Sequence, residues 1–342
     1  MAFPIDASKL KFLAREAGFE LAGIAAAEPL GDRLWYGDWV RRGMAGRMSY
    51  LTDHRAELRM DPKSLLPSAR TILCTGKVYN GPQAYSTTRT RRELGWISRY
   101  AWGEDYHRIV RQGLEKVAAQ LEGVEHRICV DTAPLLERGY ARMAGLGWIG
   151  RNTCLINQNL GSWVFLGEML LSAELTPDTP VADRCGTCRR CIDACPTGAL
   201  VPGPHGWELD SRLCISYLTI ELRGPIEEQH RARMGWHVFG CDICQDVCPW
   251  NRRATLTTEP AFSPGFESPP LEELASVTEK EFREMFRGSP IERARYRGFL
   301  RNVAVAMGNS GLPRFAPHLE RLAGSNDGII AEHARWALSQ LQ

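Results

Sequence analysis

Apolar positions recur along this chain at two different periods, and the switches between them outline its elements. Residues 8–18 carry them at helical spacing, "LAGIAAA" then runs apolar without a break, and "ARTILCTGKVY" (69–79) does so again behind the punctuated "RMDPKSLLPSA". A helix followed by two strands is predicted. Between 104 and 121, Ile109, Val110, Leu114, Val117, Ala118 and Leu121 fall on one face of a 3.6-residue repeat, predicting a helix. "HRICVD" predicts a short strand ending at Asp131, and "PLLERGYARMAGL" a helix with Pro134 in its first turn. "GSWVFLGEMLLSAEL" (161–175) is apolar enough for a strand buried on both faces. Residues 1–175 thus predict a mixed α/β unit.

The periodicity stops at "TPDTPVADRC", where prolines and polar residues lead into a cysteine-rich region ending near "CPWN" (248–251). That region, 176–255, forms a second unit. Past the Pro-rich "TEPAFSPGFESPP", helical spacing returns in "FLRNVAVAMGN", "PRFAPHLERLAGS" and "IIAEHARWALSQL". Small residues at their contacts make 256–342 resemble one or two HEAT-type helical repeats. The expected class is α+β and multidomain.

Composition narrows the function classes only a little. There are 42 basic and 40 acidic residues, so net charge alone argues neither for nor against a nucleic-acid partner. No stretch approaches the roughly 18 consecutive apolar residues of a membrane span, and "MAFPIDASKLKFLAREAGFELAGIA" has no signal-peptide character. A cytoplasmic monomer with no membrane partner is expected. Eleven cysteines in such a chain point to metal rather than to disulfides.

Their spacing says which metal. "CGTCRRCIDACPTGAL" (185–200) supplies Cys185, Cys188, Cys191 and Cys195, and "CDICQDVCP" supplies Cys241, Cys244 and Cys248. Both runs end in Cys-Pro, the signature of four-iron clusters. Two clusters need eight thiolates, and Cys214 in "SRLCISYLT" lies between the runs to provide the eighth. Because the last Cys of each run serves the other cluster in two-cluster ferredoxins, cluster one is expected on Cys185, Cys188, Cys191 and Cys248. Cluster two then takes Cys195, Cys214, Cys241 and Cys244. Structural zinc, which favours paired C-x2-C knuckles, fits this spacing badly. Cys74, Cys129 and Cys154 sit in apolar contexts and read as buried, inert thiols.

Three further motifs invite chemistry. "GLGWIG" (145–150) satisfies G-x-G-x-x-G, but a helix precedes it and an extended segment follows, the reverse of a dinucleotide site. The D-x-H of "EDYHRIV" lies within the expected helix and lacks a following glycine, so it reads as a helix face bearing one polar histidine. Asp131 reads either as an N-cap for the next helix or as a carboxyl at a sheet edge, where burial beside an apolar cofactor would let it donate a proton. Two arginine runs, 89–102 with Trp96, Tyr100 and Trp102 interleaved, and 282–302, have the composition of phosphate contact plus base stacking.

Together, "RMDPKSLLPSARTI", "SRYAWGEDYH", "VDTAPLLERGYARMAGLGWIGRNTCLI", "GSWVFLGEML", the cysteine runs around "CISYLT", and "RNVAVAMGN" resemble the epoxyqueuosine reductases over nearly the whole chain. The resemblance implies reduction of epoxyqueuosine to queuosine in the anticodon loop of tRNA, the last step in making that base. It implies cobalamin beside two 4Fe-4S clusters, held with no histidine on cobalt. Electrons are implied to come from a low-potential donor such as flavodoxin or ferredoxin and to pass through the clusters to the corrinoid. Asp131 matches the family's proton donor. Cobalamin contacts carried over are Arg59, Ser98, Asp131, Leu155, Asn157, Leu166, Ser211, Ser216 and Asp242, while the arginine runs and C-terminal helices would grip the tRNA. A reductive dehalogenase shares the cofactor set but is typically exported behind a twin-arginine signal. A plain electron-transfer module would need only the cysteine region.

Overall fold

The computed structural model describes residues 5–341. Its centre is a four-stranded sheet in the order Leu21–Ala26, Thr71–Val78, Val164–Leu171, His126–Cys129, every neighbouring pair antiparallel. The two middle strands are buried almost throughout, as their unbroken apolar runs require. On one face the Ala7–Glu16 and Tyr106–Ala118 helices pack Leu10, Ala14, Val110, Leu114 and Val117 against Leu73, Phe165 and Met169. On the other, Tyr140 and Ala141 of the Glu137–Met143 helix meet Ile72, Cys74, Cys129, Leu166 and Leu170. The expected helices and strands of this half are present. Sequential strands pair antiparallel rather than through parallel crossovers, so the ligand-placing rule of parallel sheets does not apply here.

The helix after Asp131 begins later than its sequence suggests. Its first residue is Glu137, and Leu136 occupies the cap position with no side-chain cap bond. Pro134 lies in the preceding turn, and Asp131 is left free of any capping duty. In "GLGWIG", Trp148–Ile149 is a strand paired with Leu155–Ile156. A Cβ on Gly147 would lie 2.2 Å from the Ile156 carbonyl, so this glycine permits close backbone approach rather than phosphate binding.

The C-terminal helices Arg295–Ser310, Ala316–Ala323 and Gly328–Ser339 pack closely, with Gly308 against Ala337. Their apolar core continues past residue 255 into Ile215, Leu218, Met234, Val238 and Phe239 of the cysteine region. Polar clamps lock this joint. Asn302 Nδ2 donates to the carbonyls of Thr219 and Val238, both at 2.8 Å. The buried Arg301 guanidinium donates to the carbonyls of Leu218, Leu222 and Gly224 at 2.6–2.8 Å. These carbonyls flank Cys214 and Cys241, so the last helices brace the backbone that presents both thiols. No described helix is long and apolar enough to cross a membrane.

Candidate active site

A cavity of about 160 Å³ opens where the sheet, the Tyr106–Ala118 helix and the Glu137–Met143 helix meet. Leu155, Val164, Phe165 and Leu166 form its apolar wall, and Asp131, Glu137 and Arg138 face them. Tyr106 lies flat on Phe165, with centroids 4.1 Å apart and planes 4° off parallel. The loops at the rim are strained: Asp131 and Thr153 hold φ of 45° and 63°, a region that non-glycine residues occupy at a cost. Arg138, on the Glu137–Met143 helix, holds the second of them by donating to the Thr153 carbonyl at 2.5 Å.

The D-x-H motif belongs to this site, not to a plain helix face. Asp105 caps the Tyr106–Ala118 helix by accepting from the His107 amide at 3.0 Å. Thrown onto the rim, the His107 ring bonds Asp105 Oδ1 through Nδ1 at 2.6 Å and Asp131 Oδ2 through Nε2 at 3.1 Å. Burial pulls the imidazole pKa down, but the bonds to the two carboxylates outweigh it and hold His107 up at about 9. Both ring nitrogens are engaged, so neither is free to meet a metal. Reading the motif as a helix face missed this because the D-x-H spacing alone does not reveal that Asp105 ends the helix.

Behind Asp131 lie two further carboxyls. Glu137 is pushed up to about 7 by burial and by the Asp131 charge. Glu168, deep in the sheet opposite Cys74 and Cys129, is raised well above its usual range, first by burial and then by Glu137 and Asp131. Its Oε1 has no hydrogen-bond partner among the described residues. No sequence signal separated these two from ordinary surface glutamates.

The cysteines form two groups. Cys185, Cys188, Cys191 and Cys248 line one cavity of about 250 Å³. Cys214, Cys241 and Cys244 feel one another's charge, and Cys195 reaches Cys214 and Cys241. All eleven thiols are free. Among the described residues no three His, Cys, Asp or Glu side chains converge on a single-ion position. Grouped but spread thiols suit a cube of four irons better than one tetrahedral zinc. Cys154 is not an inert core thiol: it lines the Asp131 cavity, and contact with Cys244 lowers its pKa. Cys74 and Cys129 are buried and raised by desolvation, as expected of inert thiols.

Comparison with known proteins places this geometry. Residues 184–251 match the 4Fe-4S double cluster binding domain, and residues 59–132 match the model described as epoxyqueuosine reductase QueG, DUF1730. An epoxyqueuosine reductase of Xanthomonas campestris is 41% identical over 98% of this chain and 97% of its own. The chain belongs to the epoxyqueuosine reductase family. It is an oxidoreductase of queuosine biosynthesis, bearing a double 4Fe-4S domain. The Escherichia coli epoxyqueuosine reductase is 38% identical over 99% of this chain and 92% of its own. Among solved structures, an epoxyqueuosine reductase with an epoxyqueuosine-modified tRNA-Tyr stem loop superposes with a TM-score of 0.87 at 28% identity, covering 98% of this chain and 89% of that one. A Bacillus subtilis epoxyqueuosine reductase, captured with its catalytic aspartate loop swung out of the active site, gives 0.86 at 28% identity, covering 98% and 90%.

Of the cobalamin contacts carried over from this family, Asp131, Leu155 and Leu166 line the cavity. The others are engaged elsewhere. Ser98 Oγ donates to Asp242 Oδ1 at 2.5 Å, and the buried Asp242 also accepts from Trp96 Nε1 and the Arg99 amide. Asn157 Nδ2 donates to the Leu146 carbonyl at 2.7 Å, and Arg59 Nη1 to the Tyr50 carbonyl at 2.8 Å. Ser211 is buried, its amide donating to the Met44 carbonyl at 3.0 Å, and Ser216 starts the turn after Cys214.

The arginine runs divide. Arg99, Trp96 and Trp102 are buried, Arg99 over the Trp102 ring at 4.4 Å, so these members are core and cannot stack on a base. Arg301 is likewise interior. Arg293 differs: it pairs with Glu221 at 2.9 Å, lies 5.2 Å from the Tyr50 ring centroid, and feels the Asp131 charge. Arg55, 5.9 Å from the same ring and paired with Asp53 at 2.6 Å, and Arg223 share this neighbourhood.

Proposed function

We propose that this chain removes the epoxide oxygen of epoxyqueuosine in a tRNA anticodon loop as water, using two electrons and two protons, with Asp131 as proton donor. The observation that carries this reading is a single cavity with the Asp131–His107 pair on one side and Cys154, neighbour of the cluster-two thiol Cys244, on the other. Proton source and electron source thus meet at one place.

Cluster one is assigned to Cys185, Cys188, Cys191 and Cys248, and cluster two to Cys195, Cys214, Cys241 and Cys244. The Leu155–Val164–Phe165–Leu166 wall fits an apolar face of cobalamin, and its volume is that of a reacting centre beside the macrocycle rather than of the macrocycle itself. Asp131, Leu155 and Leu166 would hold the cofactor; Arg59, Ser98, Asn157, Ser211, Ser216 and Asp242 remain contacts that the family resemblance alone implies. Bound there, cobalamin supplies low-potential cobalt chemistry at the substrate carbon, and the clusters supply electrons singly.

The chain's own residues handle the protons. Asp131, on a strained loop, presents its carboxyl to the leaving oxygen, and His107 stores a proton at hydrogen-bond distance to reload it. Glu137, near 7, provides the second proton store. Arg293, Arg55 and Arg223 would meet the phosphates of the stem loop, with the C-terminal HEAT-type helices behind them. The enzyme is read as a cytoplasmic monomer.

The test is anaerobic incubation of the holoenzyme with a strong reductant and tRNA from a reductase-deficient strain, followed by nucleoside mass spectrometry. Queuosine is expected. Unchanged epoxyqueuosine, with clusters and corrinoid intact, refutes the reading.

A further inference from the structure

The loop around Cys185, Cys188 and Cys191 is exposed, and its surroundings are basic. The cavity holding Cys185, Cys188, Cys191 and Cys248 is also lined by Arg151, Arg184 and Arg190. Arg151 Nη2 donates to the Gly186 carbonyl at 2.6 Å, fixing one guanidinium on the cysteine loop. Arg189 rests on the Trp207 ring at 5.1 Å, and the exposed Arg252 and Arg253 lie one residue beyond the wall residues Pro249 and Trp250. Of these six arginines only Arg189 has a carboxylate in ion-pair reach among the described residues, Asp193 at 3.4 Å. Nearly all positions flanking Cys185, Cys188 and Cys191 are exposed, whereas Gly240, Asp242 and Ile215, beside the cluster-two thiols, are buried. In a chain with a net charge of only +2, five arginines gathered here without an ion-pair partner among the described residues are a local excess of positive charge.

We infer that this arginine-ringed surface around Cys185, Cys188 and Cys191 is the docking face for an acidic one-electron carrier protein. The inference rests on the cluster assignment proposed above. Each docking event delivers one electron; two events, with two protons, convert one epoxide oxygen to water. Unpaired guanidiniums attract a carboxylate-rich partner over a Debye length and orient it. Cys154, which lines the Asp131 cavity, contacts the cluster-two thiol Cys244 directly, whereas it reaches the cluster-one thiol Cys248 only through its charge. Guanidiniums also suit RNA phosphate, but none of these six arginines lines the Asp131 cavity where a substrate base must enter.

The holoenzyme should be titrated calorimetrically with oxidised flavodoxin, chosen as an acidic carrier, at about 50 and about 200 mM salt. Two charge-reversed proteins are compared with it: Arg184→Glu with Arg190→Glu, and Arg252→Glu with Arg253→Glu, the latter outside the cysteine loop. Wild-type affinity should fall with salt, and each double variant should bind flavodoxin about tenfold or more weakly at low salt. Affinity for an epoxyqueuosine-bearing stem loop should change by less than about twofold, and dithionite should still bleach the cluster absorbance. Flavodoxin binding that ignores salt and both charge reversals, with absorbance intact, overturns this inference alone. A loss of stem-loop affinity with flavodoxin binding unchanged overturns it in favour of an RNA face. Absence of iron–sulfur absorbance in the wild type overturns the cluster assignment and this inference together.

Discussion

Replacing Asp131 by Asn tests the proton store directly. Asn is isosteric, and it tolerates the positive φ of 45° that the backbone adopts there, so the loop should keep its shape. What changes is the charge 3.1 Å from His107 Nε2. Two unit charges about 4 Å apart interact by about 1 kcal/mol in water and about 4 kcal/mol at an effective dielectric near 20. The Asp131 side chain is 50% exposed and the His107 side chain 32%, so solvent screening favours the lower half of that span, about 1–2 kcal/mol. At 1.36 kcal/mol per pH unit, His107 should fall from about 9 by about one unit, Asp105 at 2.6 Å sustaining the rest. Long-range proton–nitrogen NMR across the titration reads this, with His107→Gln identifying the resonance by its loss. Linkage fixes the sign for stability. A raised histidine stabilises fully below its unfolded value of 6.5 and ceases to as pH rises through about 9. Asp131→Asn should therefore be less stable than wild type at pH 6 and should match it above 9. Turnover should drop by about 10²–10⁴ with clusters retained. An unmoved His107 titration, or turnover near wild type, would refute the pairing as the proton store.

Glu137→Gln removes a carboxyl whose folded value, about 7, exceeds its ordinary 4.5. The native state binds the extra proton between those values, so wild-type stability declines across them; the variant should gain about 1–3 kcal/mol relative to wild type between pH 5 and pH 8, read by urea melts. Its turnover should also lose any inflection near 7, and a persistent inflection there counts against Glu137. Cys214→Ser should lower iron content by about four per chain and leave the other cluster's absorbance, measured by iron assay and spectroscopy; a full complement would remove Cys214 from the ligand set. Asn302→Ala strips two buried carbonyls of their donor, so it should cost about 2–4 kcal/mol and loosen cluster two, seen as faster iron loss to a chelator. Normal retention would mean the helix does not brace that backbone.

The parts of the fold and site legible in the sequence were those written in period or spacing. Buried strands such as Thr71–Val78 announce themselves as unbroken apolar runs, and the double 4Fe-4S domain follows from the cysteine spacing. What escaped depends on where an element stops. His107 looks like one residue of a long amphipathic helix until Asp105 is seen to be its cap, which turns the ring toward Asp131. Leu136, not Asp131, precedes the next helix, because the segment from Thr132 to Leu135 is spent on a turn. Glu137 and Glu168 acquire their chemistry from burial, a tertiary property that leaves no local mark. Arg99 and Arg301 show the converse: a guanidinium whose Nη groups donate to main-chain carbonyls can be interior, so an arginine run overstates the basic surface available to RNA.

The three carboxyls behind the cavity gain a common rationale once electrons are considered. A site that must accept negative charge twice would be opposed by three ionised carboxylates within Coulomb range, since each repels the incoming electron in a medium that screens poorly. Burial answers this by favouring the protonated forms of Glu168 and Glu137, while His107 offsets the charge of Asp131. The same arrangement readies protons for release. On the proposed mechanism the leaving oxygen would become more basic as each electron arrives, and His107 and Glu137 stand beside Asp131, the carboxyl proposed to protonate it. The unpaired Oε1 of Glu168 then makes sense as a buried acid that ionises only at a cost, holding its proton while its neighbours give theirs up. On this argument Glu168→Gln should leave the pH dependence of turnover near 7 in place, whereas Glu137→Gln should remove it. The opposite result would make Glu168 the working store and Glu137 its spacer.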